Sequence, residues 1–461
     1  MAVNPITVVN TTVTLPPAPS TLQQSGAFVS VGGSTKAPQS LTLLTSLAAL
    51  TAIIAPARNL SALTWSGSTV TATTASAHGY NIGDTVLMVI AGCTPAGYNT
   101  SAGIPVTATI TSSTQFTYPL ASNPGAATIL GNFQLWAATE LKQMGTTFFA
   151  QGSQTSVWLL ELGESTTTAA VGNLNTWISA NPSTIYSYLV PREFDANAAY
   201  LTTINNYTAV SAKTYFFTTT TTANYANYAG IKSAPWLVEA AGIGATEFSM
   251  AAVFYVTLTY APSSTNQVTP LAFSYLYGVT AWNPANNAAT LTAILAAYGN
   301  YVGTGSEGGL TNTILRNGLM PDGNSFNFWY AVDWAQINLD LAISNAVING
   351  SNNPQAPLYY NQNGINTLQN VAANTLTNGV SYGLLLGPVV KTALPAAQFA
   401  VAIEQGTYIG QAVINAEPFL VYTAENPSNY AIGKYGGFAA SVATQNGFLY
   451  IIFNLNVTEF V

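Results

Sequence analysis

Apolar positions change their spacing along this 461-residue chain. From Ile6 to Leu15 the chain is β-branched almost throughout, with Ile6, Val8, Val9, Val13 and Leu15 set among Thr and Asn, a strand composition. Pro16-Pro17-Ala18-Pro19 follows as an extended, semi-rigid spacer. At the far end Leu449, Ile451, Phe453, Leu455 and Val457 alternate onto one face of a predicted strand. On its other face Phe448, Tyr450 and Ile452 give way to Asn454, Asn456 and Thr458. The pattern therefore predicts a strand at each end of the chain. A long apolar strand with free edges aggregates unless something pairs with it. Two arrangements meet that need: pairing within the chain itself, or addition to the sheets of neighbouring subunits.

Between the ends the period shifts several times. Ala27–Val31 predicts a strand, and the apolar stretch Leu41–Ala55, interrupted by Thr42, Thr45, Ser46 and Thr51, predicts a buried helix. It falls short of the roughly 20 residues that span a bilayer. Short Thr/Ser/Val strands with turn signals then run over Ser61–Thr74, Asp84–Ile90, Val106–Ser112 and Phe116–Leu120, the pattern of a small all-β unit. From Phe133 helices and strands alternate: helix Phe133–Met144 before strand Ser156–Glu161, helix Ala169–Ala180 before strand Ile185–Val190, and helix Ala198–Val210 before strand Thr214–Thr218. Such units predict a mostly parallel sheet covered on both faces. Met250–Tyr260 reads as a strand or a buried helix. Helices Ala288–Tyr298 and Phe328–Val347 follow, then a Gly/Asn-rich helical stretch over Gln362–Leu376, then β segments. The fold class is α/β, mixed with α+β parts and multidomain. The expected parts are an N-terminal arm (1–25), an α/β domain (26–58 with 132–280), an inserted β domain (59–131), a C-terminal domain (281–445) and a C-terminal arm (446–461).

Charge alters this picture more than overall apolarity does. Hydrophobic residues make up 49% of the chain, enough for a large core, but charged residues only 5%, against roughly 25% in ordinary soluble proteins. Thr, Ser, Asn, Gln and Gly take their place. Such a surface loses little on desolvation when a partner supplies hydrogen bonds, and it fits a subunit of a permanent assembly; a stable secreted protein with a neutral surface is the alternative. The net charge is −7, and Lys36, Arg58, Lys142, Arg192, Lys213, Lys232, Arg316, Lys391 and Lys434 nowhere cluster along the chain, so no nucleic-acid partner is expected. Met1–Thr35 lacks the basic n-region of a secretory signal, and no membrane insertion is expected. Cys93 and His78, each the sole residue of its type, exclude a disulfide framework and a Cys/His zinc site.

Few combinations offer chemistry. Gly303-Thr304-Gly305-Ser306-Glu307-Gly308 matches the dinucleotide fingerprint in letters, but a predicted helix precedes it where a strand is needed. Gly433-Lys434 is followed by Tyr435, so there is no phosphate-binding P-loop. His78 lies among turn signals at Gly79, Gly83 and Asp84, where a structural hydrogen bond is the expected role. The carboxylate pairs are Glu161/Glu164, Glu193/Asp195 and Asp333/Asp340. Asp333 and Asp340 share a helical face beside an apolar stripe of Tyr330, Trp334, Ile337 and Leu341. With 25 Tyr and 8 Trp, carbohydrate cleavage by a carboxylate pair stays open. The other reading is an interface helix with an acidic rim.

The order of parts resembles the contractile tail sheath proteins of myovirus-type bacteriophages. The resemblance runs through Leu22-Gln23-Gln24-Ser25-Gly26-Ala27-Phe28-Val29-Ser30, the apolar Leu41–Ile54, and Phe328-Trp329-Tyr330-Ala331-Val332-Asp333-Trp334-Ala335-Gln336-Ile337. It ends on Gly364-Ile365, a glycine-rich stretch and the terminal strand. His78-Gly79, Gly83-Asp84 and Thr94-Pro95-Ala96-Gly97-Tyr98-Asn99 look like a small β module of phage virion proteins.

The resemblance implies a non-enzymatic virion subunit without a cofactor, assembled in the host cytoplasm. It would form hexameric rings stacked helically around a tail tube protein, with baseplate and tail terminator proteins as further partners. The terminal arms would donate strands to adjacent subunits and act as hinges in a rigid-body contraction that drives the tube through the host envelope. The C-terminal domain would face the tube, with Lys391 and Lys434 as tube-facing candidates, and 59–131 would face outward. The alternatives are a self-assembling virion or surface-layer protein that does not contract, and a carbohydrate-binding or carbohydrate-cleaving phage protein.

Overall fold

The computed structural model describes residues 22–449 except 102–103, 154, 164–165 and 306–310. The predicted strand Ile6–Leu15 and the run Tyr450–Val457 lie outside the described residues.

Strand β1 (Gly26–Ser30) is buried at all its positions, which is why its sequence shows no polar alternation. The stretch expected as one buried helix divides instead. Ser40–Leu44 is strand β2 and Leu47–Thr51 a short helix α1. Ser46 separates them: its backbone is extended and its hydroxyl accepts from Ala49 N–H at 3.2 Å, an N-cap that starts the helix late.

Six antiparallel strands then close into a barrel: β3 (Arg58–Ser66), β4 (Thr69–Thr74), β5 (Thr85–Thr94), β6 (Val106–Ser112), β7 (Gln115–Pro119) and β8 (Ile129–Leu135), ordered β3-β4-β7-β6-β5-β8. Alternate residues fill its interior, among them Val70, Met88, Ile110, Phe116 and Phe133. The expected strand Ser61–Thr74 is thus two, reversed at Gly67-Ser68, and Phe133 belongs to β8 rather than to a helix.

Past the barrel come α2 (Trp136–Ala150), β9 (Val157–Glu161), α3 (Thr167–Ala180), β10 (Ser187–Leu189), α4 (Ala198–Asn205), β11 (Tyr215–Thr220), β12 (Trp236–Val238) and α5 (Ser249–Leu258). The sheet runs β12-β11-β10-β1-β9-β2. Five strands are parallel, and β2 joins the edge antiparallel to β9. Taken in chain order, the parallel strands lie 2-1-3-4-5, a doubly wound sheet. Aromatic residues cover both faces. On one, Phe28 meets Phe148 of α2 edge-on at 5.2 Å and Phe217 meets Phe254 of α5 at 5.1 Å. On the other, Tyr188 meets Trp177 of α3 and Phe216 meets Tyr200 of α4.

Helix α6 (Ala288–Ala296) leads to the antiparallel pair β13 (Tyr301–Thr304) and β14 (Thr313–Arg316), and then to α7 (Phe326–Ser351). Gly303 and Thr304 therefore sit in a hairpin strand, not at the start of a helix. The rest is α8 (Gln362–Ser381), β15 (Val389–Thr392), α9 (Ala396–Glu404), β16 (Ala412–Ala416), α10 (Phe419–Glu425), α11 (Pro427–Ala431) and β17 (Phe438–Ser441). Three helices thus interrupt what the sequence pattern presents as β segments. The fold is α/β, with a closed barrel and a small mixed sheet ordered β15-β16-β17.

The described chain divides into two compact units. One comprises 334–378 and 387–442, the other 22–333, 379–386 and 443–449. The division falls within α7, after Asp333, whereas the sequence places a boundary near residue 280.

Candidate assembly surface

Doubly wound sheets bind ligands in the crevice outside the carboxyl ends of their strands. Here the chain occupies much of it. The loop after β1, Gly32-Gly33-Ser34, wraps the carboxylate of Glu161 at the end of β9. Ser30 Oγ, Gly32 N, Ser34 N, Ser34 Oγ and Gly163 N all donate to it, at 2.6–3.0 Å. Gly33 lies so close to α2 that a Cβ there would stand 2.6 Å from Ala137 O.

After β10, Arg192 forms the second filled site. It donates to both oxygens of Glu239 through Nε and Nη2 at 2.9 and 3.0 Å, to Gln143 at 2.9 Å and to Glu247 O at 2.7 Å, and it pairs with Glu140 at 3.4 Å. Burial pushes the carboxyls of Glu140 and Glu239 upward against the pull of this guanidinium. Burial also pushes half-buried Glu193 up to about 7, helped by the charge of Glu140. One arginine thus holds a cluster of acids in an internal network. No short motif announces it, because Glu140, Arg192 and Glu239 lie about fifty residues apart in sequence.

His78 is buried, and its Nδ1 accepts from Tyr80 N–H at 3.2 Å, a turn contact. Among the described residues no group of His, Cys, Asp and Glu is placed to hold a metal ion, and no helix is long and apolar enough to cross a membrane.

The helix expected to carry an acidic rim is divided in a way the heptad spacing does not reveal. Tyr330 and Asp333 are fully buried in the unit that holds the large sheet, so Asp333 is no rim. Its Oδ2 accepts from Tyr186 and Tyr215, both at 2.8 Å, and burial raises its carboxyl to about 6. Beyond the division, Trp334 is buried, Ile337 and Leu341 are half-buried and Asp340 is exposed. Asp333 and Asp340 therefore cannot face one substrate as a carboxylate pair.

The unit built from 334–378 and 387–442 has a thin core, chiefly Ile365, Leu376, Phe399, Val413, Ile414 and Tyr422. It leaves large apolar side chains in solvent: Ile409 is 84% exposed, Leu420 76% and Ile432 75%. Its charged residues are Asp340, Lys391, Glu404, Glu417, Glu425 and Lys434. Lys391 is exposed on β15 and bonds Asn370 Oδ1 at 2.7 Å; Lys434 is exposed after α11. In its sheet β16 is covered on both sides, by β15 in parallel and β17 antiparallel, so both outer strands have an edge without a strand partner among the described residues. Strand β17, Phe438-Ala439-Ala440-Ser441, carries no charge and no proline, the usual protections of an edge.

The first described residues of the predicted C-terminal arm, and the chain just ahead of them, are held by their own unit. Leu385 and Thr444 form an antiparallel bridge, Ser325 Oγ donates to Asn446 Oδ1 at 3.0 Å, and Leu449 lines a groove with Pro270 and Phe328. Phe448 and Leu449 are not in a strand, and Phe448 is 77% exposed. The predicted arm residues Tyr450, Ile451, Phe453, Leu455 and Val457, with Ile6, Val8, Val9, Val13 and Leu15, lie outside the described residues. No protein-family model matches this chain, and no curated protein does either.

Proposed function

We propose that the chain is a self-assembling structural subunit of a contractile tail sheath, forming stacked hexameric rings around a tail tube in a virion. The observation that carries the reading is the β15-β16-β17 sheet with unprotected β17, set in a thin-cored unit that exposes Ile409, Leu420 and Ile432. A unit of that kind gains more from neighbours than from water, because each buried aliphatic side chain contributes about 1.5–3 kcal/mol. Strands supplied by the two chain ends of adjacent copies would complete the sheet by edge addition. The sparse charge agrees with a surface that ends inside an assembly.

Electron microscopy of the purified chain is the test. Rings or tubes are expected from the full chain. A variant lacking 1–20, or one lacking 450–461, is expected to give a folded body that stays monodisperse. Tubes formed by both truncated chains would remove the arms from the assembly and overturn the woven-sheath reading.

A further inference from the structure

We propose that the cleft between the barrel and the carboxyl ends of β1 and β9 binds a small doubly charged anion of the phosphate-monoester class. The cleft has a volume of about 390 Å³, within the roughly 300–1,000 Å³ of small-molecule sites. Its walls include Lys36, Arg58, His78, Tyr80, Gln134 and Glu161. In a chain with 9 basic residues, two of them meet here, both exposed. The ion pairs among the described residues all belong to Arg192, so neither Lys36 nor Arg58 has a carboxylate partner there. Glu161 is the carboxylate of the lining, but five donors already hold it, four from the end of β1 and the loop after it and one from Gly163.

The wall is built to aim Arg58. Its Nη1 donates to His78 O, and its guanidinium carbon lies 5.9 Å from the Tyr80 ring centre. Tyr80 in turn stacks on His78 at 5.1 Å and 14°, and its N–H is taken by His78 Nδ1. His78 is thus a positioning residue. Nε and Nη2 of Arg58 have no acceptor among the described residues, which leaves a donor fork for a phosphate, with Lys36 as a second point charge. The place in the fold supports the same reading. The barrel is inserted between β1 and α2, in the crossover that leaves the carboxyl end of β1, where doubly wound sheets take their ligands. The tail-sheath reading neither requires nor supplies this site.

Calorimetric titration of the full chain with phenyl phosphate at low ionic strength tests it. Saturable binding is expected, weakened about tenfold by Lys36→Gln and by Arg58→Gln, and lost in the double variant. Lys391→Gln should bind as the parent does. The Lys36 side chain is exposed, so Lys36→Gln keeps the fold, and an unchanged thermal unfolding profile confirms that. Inorganic phosphate binding as tightly as phenyl phosphate would identify free phosphate as the ligand, and weaker binding would identify an ester. No binding of phenyl phosphate, or binding that Lys36→Gln and Arg58→Gln leave unchanged, overturns the proposal.

Discussion

The Tyr186 phenol donates to Asp333 Oδ2 at 2.8 Å, tying the residue just before β10 to α7 across 147 positions of sequence. Tyr215 donates to the same oxygen at 2.8 Å, while Oδ1 has no partner among the described residues. Lys232, Lys213, Asp322 and Tyr330 surround this group, and Lys232 is itself held by the carbonyls of Ala209 and Ala212.

A pH dependence follows from that burial. The Asp333 carboxyl is raised from 3.8 to about 6 in the fold, so folding favours its protonated form. The stability it contributes is complete below pH 4 and declines as pH rises through 6, a change of about 3 kcal/mol. Asp333→Asn should abolish that slope, because the amide oxygen still accepts from both phenols. Urea unfolding at pH 4.5 and pH 7.5 measures it: the gap between variant and parent should widen in the variant's favour at the higher pH.

Arg192 should be intolerant of replacement. Arg192→Met strands Glu140 and Glu239 without their cation and should destabilise this unit by about 3–5 kcal/mol. Arg192→Lys should recover little, since an ammonium cannot occupy both Glu239 oxygens and the Gln143 and Glu247 positions together. Chemical denaturation of the three proteins checks the order: parent, then Lys, then Met.

The barrel carries its own weak point. Gly131 has φ +66°, and a Cβ there would stand 2.2 Å from Ala91 O on the paired strand β5. Gly131→Ala should cost about 2 kcal/mol or more through backbone strain and separation of β5 from β8. Hydrogen exchange should show lost protection in these two strands, with the large parallel sheet unaffected.

Assembly should depend on the β17 edge. Ala439 and Ala440 are exposed, so Ala439→Lys with Ala440→Lys adds charge there without touching the core. Sedimentation is expected to shift from large particles to the single chain, with unchanged circular dichroism. Continued assembly of the double variant would place the contact elsewhere.

Much of the parallel sheet is legible in the chain. Ala27–Val31, Ser156–Glu161, Ile185–Val190 and Thr214–Thr218 are short, apolar and separated by helical patterns, and each contributes a strand. Most of the barrel strands are legible too, since one face of each is inside and the period of two survives, but β3 and β4 merge in Ser61–Thr74 and β8 goes unread because Phe133 fits the helical pattern that follows it. Leu41–Ala55 misleads because its apolarity fits either a helix or a strand, and β2 forms only where the edge of β9 is available to pair with it. Helices α9 to α11 escape notice because they are short and lie in a charge-poor stretch.

Local periodicity and composition, read alone, establish the first four parallel strands, most of the inserted barrel strands and a chain almost without charge, because each depends on near neighbours in the chain. Which side chains meet is another matter. Asp333 becomes a buried acceptor rather than an outer rim, Glu161 fills the loop after β1, and Lys36 reaches the same cleft as Arg58. These outcomes depend on strand order and on the desolvation of particular atoms, and both arise only when distant segments pack.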